Sequence, residues 1–266
     1  PLEYTSAKSR IRLSKRFAIR GVPREHFAIC MLASSVISVQ RRFADLSTMP
    51  ALTAKKEEFD AESVCPAEGM NAYGMPNRGT FIDERDGQEY KYTTIGNQVW
   101  MAQNLNYKTS YSMKHEGEYI DCSECGLWYN LGINLPKRDI IDSVCPLGWR
   151  VPTEKDWKIL LSFIGNPTIT LKILLSEAWN DEFQGLNKCD FSGIETGAVR
   201  YWVNAKELGY SSDTLFQVGG SVWWTQNVTG PDRMIHIEFA ANKHRRDIEL
   251  EETVNGYYFS LRCIKN

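Results

Sequence analysis

The residues of this chain that could carry chemistry are its cysteines, its histidines, one run of carboxylates and one tryptophan pair. Seven cysteines stand at positions 30, 65, 122, 125, 145, 189 and 263, and only Cys122 and Cys125 are close together. A single C-x-x-C with no second pair and no histidines at ligand spacing makes a poor zinc site, because structural zinc needs four convergent N or S ligands. A thioredoxin-type centre wants a strand before the pair and a helix after it, whereas the polar surroundings of Cys122 read as loop. Wide spacing of the remaining cysteines favours structural disulfides. The histidines His26, His115, His236 and His244 include no H-E-x-x-H. The chain also lacks G-x-S-x-G, the phosphate-binding P-loop and the dinucleotide-binding glycine pattern. His236 lies in an alternating apolar run and reads as a strand-surface histidine rather than a general base. Glu249-Leu250-Glu251-Glu252 follows the basic Lys243-His244-Arg245-Arg246; such runs are commonly solvated loop faces, and these two could simply pair. No EF-hand spacing occurs, so calcium at loop carboxylates is conceivable but not indicated. No catalytic residue, metal ligand or cofactor is therefore predicted.

Trp223-Trp224, with Tyr201 and Trp202 upstream, is the one feature with the character of a recognition surface, since aromatic faces stack on sugar rings and nucleobases. Successive strand residues point to opposite faces. One tryptophan of the pair is thus expected in a core, and the outward one is the candidate ligand platform.

These residues must be held by a folded body. With 266 residues, 42% hydrophobic, 12% aromatic and 24% charged, the chain matches globular composition and excludes disordered, collagen-like and coiled-coil classes. The net charge of −2 hides an asymmetry: residues 1–42 carry +7, which leaves −9 for the rest. Such a step separates a leader from a domain. Phe27–Val39 is an apolar run of export-signal length behind basic residues. It is too short to span a membrane, and no run approaches the roughly 18 apolar residues that a spanning helix needs. An acidic body repels phosphate, so no nucleic-acid partner is expected.

Residues 43–79 are rich in Pro and Gly and read as a mostly irregular linker. Order begins near residue 80. Asp86-Gly87 and Gly96-Asn97 are turn signals that divide Phe81–Arg85, Gln88–Ile95 and Gln98–Leu105 into a three-stranded meander. Residues 106–144 read as a long irregular stretch. The best helix covers 153–164: Thr153 is an N-cap with Asp156 three residues on. Trp157, Leu160, Leu161 and Ile164 follow at helical spacing, and Gly165 ends the run. Leu171–Trp179 suggests a second, shorter helix. Ala198–Val203, Val222–Thr225, Met234–Phe239 and Tyr257–Ile264 read as strands. Strands, then helices, then strands segregate along the chain, so the class is α+β with antiparallel sheets.

Four ordered motifs resemble a family. Phe81-Ile-Asp-Glu-Arg-Asp-Gly-Gln-Glu-Tyr90 with Ile95-Gly-Asn-Gln-Val-Trp-Met-Ala-Gln-Asn-Leu-Asn-Tyr107 resembles the opening signature of the Fibrobacter succinogenes major paralogous domain. Cys145-Pro-Leu-Gly-Trp-Arg-Val-Pro152 resembles its central motif, and Trp223-Trp224-Thr225 with Gly256-Tyr-Tyr-Phe-Ser-Leu-Arg-Cys-Ile-Lys265 its closing motifs. The resemblance covers residues 80–266. It implies a C-type-lectin-like domain of twisted antiparallel sheets with long irregular loops, found on secreted or surface-anchored proteins. It also implies a Cys145–Cys263 disulfide. This chain departs from the pattern at Cys125, so Cys122 either pairs locally with Cys125 or stays free, and Cys189 has no obvious partner.

The resulting expectation is an exported, non-enzymatic binding or adhesion module, secreted or in the cell envelope, with a polysaccharide or cell-surface glycan as the partner class. The ligand pairs of calcium lectins are absent, which implies calcium-independent binding. A purely structural surface protein is the second reading. A third follows from Arg150-Val-Pro-Thr-Glu-Lys-Asp-Trp157, which is similar to the helix-opening motif of formylglycine-generating enzymes. Those oxidases use a C-terminal cysteine pair for copper, whereas Cys263 stands alone in its segment and Cys189 is far upstream; a soft copper ion needs both thiolates.

Overall fold

The computed structural model describes residues 59–114, 124–131, 140–141, 143–177, 183–201, 214–217, 220–254 and 256–266. Local sequence explains the helices. α1 (Ala61–Val64) is one turn, capped by Asp60 accepting from the Ser63 amide. α2 (Glu154–Ile164) starts at a full capping box: Thr153 accepts from the Asp156 amide, and the Asp156 carboxylate accepts from the Thr153 amide. Trp157, Leu160 and Ile164 form its buried stripe, and Gly165 terminates it. α3 (Pro167–Leu174) begins earlier than its apolar pattern suggests. Asn166 caps it and Pro167 occupies the first turn, where a missing N–H costs nothing. It ends at Leu174 because Leu175 turns extended and bridges to Gly193.

The opening meander forms as the turns require. β1 (Arg78–Ile82), β2 (Glu89–Ile95) and β3 (Gln98–Met101) pair antiparallel, with Phe81 opposite Tyr90 and Thr93 opposite Trp100. Gly96 in the second turn has φ +59°, and an added Cβ would sit 2.2 Å from the Phe163 ring, so only glycine fits there. β4 (Ser112–Lys114) and β5 (Leu127–Tyr129) are short strands within the stretch expected to be irregular. β6 (Trp149–Arg150) precedes α2. The second half supplies β7 (Ala198–Tyr201), β8 (Thr214–Gln217), β9 (Gly220–Gly230), β10 (Arg233–Ala241), β11 (Arg246–Val254), β12 (Tyr257–Ser260) and β13 (Ile264–Lys265).

Among the described residues these strands form two sheets. One has the order β1-β2-β3-β13-β6, so the last strand of the chain is inserted between β3 and β6. The other runs β11-β10-β9-β12-β5-β4, with β7 beside β12 and β8 beside β7. Pairing is antiparallel except for the β9–β12 contact, which is parallel. The class is α+β and mainly β.

Two hydrophobic cores result. One gathers Tyr92, Met101, Trp149, Val222, Trp224 and Phe259; the other gathers Trp100, Trp157, Leu171, Phe191, Trp223 and Phe239. Successive residues of β9 therefore enter different cores, as the pleat dictates. Of residues 43–79, expected as linker, those from 59 on are fastened to the body; residues 1–58, which include the expected leader, lie outside the described residues. Cys65 is bonded to Cys189, the Arg78 guanidinium donates to the carbonyls of Cys65 and Lys188, and the Gly96 amide donates to the Val64 carbonyl.

Candidate binding surfaces

The covalent frame comes first, because it fixes everything else. Cys145 and Cys263 are bonded across 118 residues, and Cys65 and Cys189 across 124. All four sulfur-bearing residues are buried. Cys145–Cys263 is the pairing the resemblance implied; Cys65–Cys189 supplies the partner that Cys189 lacked in sequence. Cys125 is also disulfide-bonded. Cys122, its expected partner, lies outside the described residues.

The tryptophan pair is not a platform. Trp223 is 0% exposed and Trp224 1%. The expectation that one of them would face outward fails because a core covers each face of β9. Trp223 packs against Trp157 at 5.7 Å and edge-on to Phe239 at 5.1 Å, and its Nε1 donates to Asn104 Oδ1 at 2.9 Å. Trp224 packs on Phe259 at 4.5 Å, and its Nε1 donates to the Tyr129 carbonyl at 2.7 Å. With both faces and both N–H groups engaged, neither ring is open to a ligand. Tyr201 ends β7 opposite Thr214. Its side chain, like all of Trp202, lies outside the described residues.

Arg262 lies against the Trp223 ring, a role that nothing near it in the sequence announces. Its guanidinium lies 4.3 Å from the Phe191 ring centre and 5.4 Å from that of Trp223. It donates to Asn104 Oδ1 through Nε and Nη2, and to the carbonyls of Phe191 and Ser192. Complete burial pulls its pKa down to about 9. Only neutral acceptors and ring faces meet this cation in the described contacts, so it clamps residues 191–192, Asn104 and the closing segment together.

An open groove lies elsewhere, between the β1–β2 turn and the turn before β6. Its volume is about 330 Å³, and Ile82, Asp83, Glu84, Arg85, Pro146 and Leu147 line it. Leu147 is 93% exposed and Ile82 63%, so both lips present apolar surface to solvent. The floor is rigid. Arg85 forms an ion pair with Asp83 at 2.7 Å, donates to the carbonyls of Ser143 and Val144, and lies 3.8 Å from the Tyr107 ring centre. Burial pushes the Asp83 carboxyl up, but the hydrogen bonds from Arg85 outweigh it and hold the pKa below the usual value. Sequence alone could not find this groove, because its two aliphatic lips stand more than sixty residues apart.

A second surface surrounds His236, expected at the strand surface but 8% exposed. It is on β10 between Trp224 of β9 and Glu251 of β11, its ring 4.8 Å from that of Phe259. Packing against Phe259 and the neighbouring strands removes water that a surface histidine would keep. Burial lowers its pKa to about 4, and Nδ1 has no hydrogen-bond partner. Among the described residues no group of three or more His, Cys, Asp or Glu side chains is placed to hold a metal ion.

The order of these parts along the chain matches one family. The family model of the Fibrobacter succinogenes major domain fits residues 93–265. The chain belongs to this family. The matched span runs from β2 to β13 and contains Arg262, both tryptophans of β9 and the Cys145–Cys263 bond. Cys65 lies before the matched span of the Fibrobacter major domain, so the second disulfide ties residues outside that span to Cys189 within it. No curated protein matches the chain, and no solved structure does.

Proposed function

We propose that this Fibrobacter major domain protein is an exported, non-enzymatic binding or adhesion module of the cell envelope or its exterior. The observation that carries the reading is the pair of buried disulfides, Cys145–Cys263 and Cys65–Cys189. Such bonds form and persist in oxidising compartments and are rare in the reducing cytosol. No described helix is long and apolar enough to cross a membrane. The C-type-lectin-like plan is part of the proposal; its support is the closing strand β13 lying between β3 and β6 beside the Cys145–Cys263 bond.

The groove between Ile82 and Leu147 is the proposed contact surface, in place of the tryptophan pair. The ligand class is a polysaccharide or cell-surface glycan. A sugar ring has an apolar C–H face that suits Leu147, Ile82 and Pro146, and hydroxyls that suit the Glu84 carboxylate. An oxidase of the formylglycine-generating type is disfavoured because the Cys263 sulfur is engaged with Cys145 and is not available as a copper thiolate.

A glycan array probed with the full chain, with and without calcium, tests the reading. Binding that survives calcium removal and is lost in Leu147→Asp is expected. Binding unchanged by Leu147→Asp would overturn the groove, and no binding to any glycan would leave the purely structural reading in its place.

A further inference from the structure

β11 has features that neither the cores nor the groove uses. It is nine residues long, and among the described residues no strand pairs with its outer edge. Its two faces differ. Ile248 and Leu250 pack into the Trp223 core. Asp247, Glu249 and Glu251 stand on the other face, aligned with Ala240, Glu238 and His236 of β10. Alternate strand residues lie about 6.8 Å apart, so the three carboxylates form an evenly spaced row on one face of this edge strand.

The row is incompletely neutralised. Arg245 alone reaches Glu238 at 2.9 Å and Asp247 at 2.8 Å, and also pairs with Glu249. Glu251 has no described ion-pair partner. Its carboxyl hydrogen-bonds that of Glu249, which with burial raises its pKa. Directly across from it on the same face is His236, buried, with Nδ1 unpartnered. Glu251 thus lacks a described cation of its own, which an incoming Lys or Arg would supply.

We propose that the outer edge of β11 docks an extended basic segment of a partner protein, added as the next strand with Lys or Arg at alternate positions over Asp247, Glu249 and Glu251. Main-chain hydrogen bonds supply the pairing and the carboxylate row supplies the selectivity. Opposite charges facing each other across strands stabilise a pair, and like charges oppose it. A second copy of this chain is the wrong occupant, because β11 against β11 sets acid against acid. The proposal uses no residue of the Ile82–Leu147 groove, so it stands or falls separately from the glycan reading.

The test uses the full chain and a fluorescent peptide of alternating Lys and Thr, followed by anisotropy at low salt. Saturable binding is expected, weakened at least tenfold in Glu249→Gln/Glu251→Gln and at least tenfold when alternate peptide amides are N-methylated. The charge-reversed variant Glu249→Lys/Glu251→Lys, checked for an unchanged melting temperature, is expected to prefer a Glu/Thr peptide. Equal binding of the N-methylated peptide would overturn strand addition. Equal binding by the charge-reversed variant would overturn the carboxylate row, and absence of saturable binding would overturn both.

Discussion

β9 and β11 lie one strand apart in the same sheet, separated only by β10, yet they are treated in opposite ways. β9 carries Val222, Trp223 and Trp224 and is buried on both faces over that stretch. β11 carries Asp247, Glu249 and Glu251 on one face, where only Thr253 is buried, and half-buries Ile248 and Leu250 on the other. The strand richest in groups suited to ligand stacking is consumed by packing, while the strand richest in charge keeps Glu249 and Glu251 exposed. Aromatic content alone is therefore a poor guide to the binding surface in this fold. What packs over each face decides: a core lies on either side of the sheet at Val222–Trp224, whereas Glu249 and Glu251 stay exposed.

The contrast breaks most directly by truncation. Trp223→Ala and Trp224→Ala should each cost about 3–5 kcal/mol in denaturant unfolding, the range for large core aromatics. Glu251→Gln should stay within about 0.5 kcal/mol. Comparable losses in the two strands would erase the distinction. Arg262→Met comes next, at about 3 kcal/mol, since it leaves the buried Phe191 carbonyl and the half-buried Ser192 carbonyl without their described side-chain donor. A neutral result would show that the guanidinium is only filler.

His236 sharpens the comparison at the strand between them. Its folded pKa is lowered to about 4, against about 6.5 unfolded. The unfolded chain then binds a proton that the folded one refuses between those values. This contribution is fully present above pH 6.5 and is lost as pH falls toward 4, with a slope of up to about 1.4 kcal/mol per pH unit. The other groups on this face are Glu238, Glu249, Glu251 and Asp247, and they stay in place when His236→Gln removes the imidazole. Stability measured from pH 7 to 4 should fall less steeply in that variant; parallel curves would contradict a buried neutral histidine.

Local signals were readable and long-range ones were not. The Thr153 cap, the Asp156 partner and the Trp157–Ile164 stripe mark α2 to within a residue, because every interaction involved spans at most a few positions. The first two hairpins are equally plain from Asp86-Gly87 and Gly96-Asn97. β11 reads as a solvated loop because only Ile248 and Leu250 show its period, with charges at nearly every other position. The basic and acidic runs do meet, through Arg245 with Glu249, on a strand rather than a loop. The burial of Trp224 depends on Tyr129 and Phe259, and Cys65–Cys189 on residues 124 positions apart. Nothing near those residues in the sequence announces such partners. The groove is hidden for the same reason, its lips being Ile82 and Leu147.

The whole assignment turns on sulfur chemistry, and peptide mapping by mass spectrometry reads it directly. Protein recovered from the envelope or medium of its native cell, alkylated before digestion, should yield Cys145 joined to Cys263 and Cys65 joined to Cys189. Recovery of those four cysteines as alkylated free thiols would contradict the account.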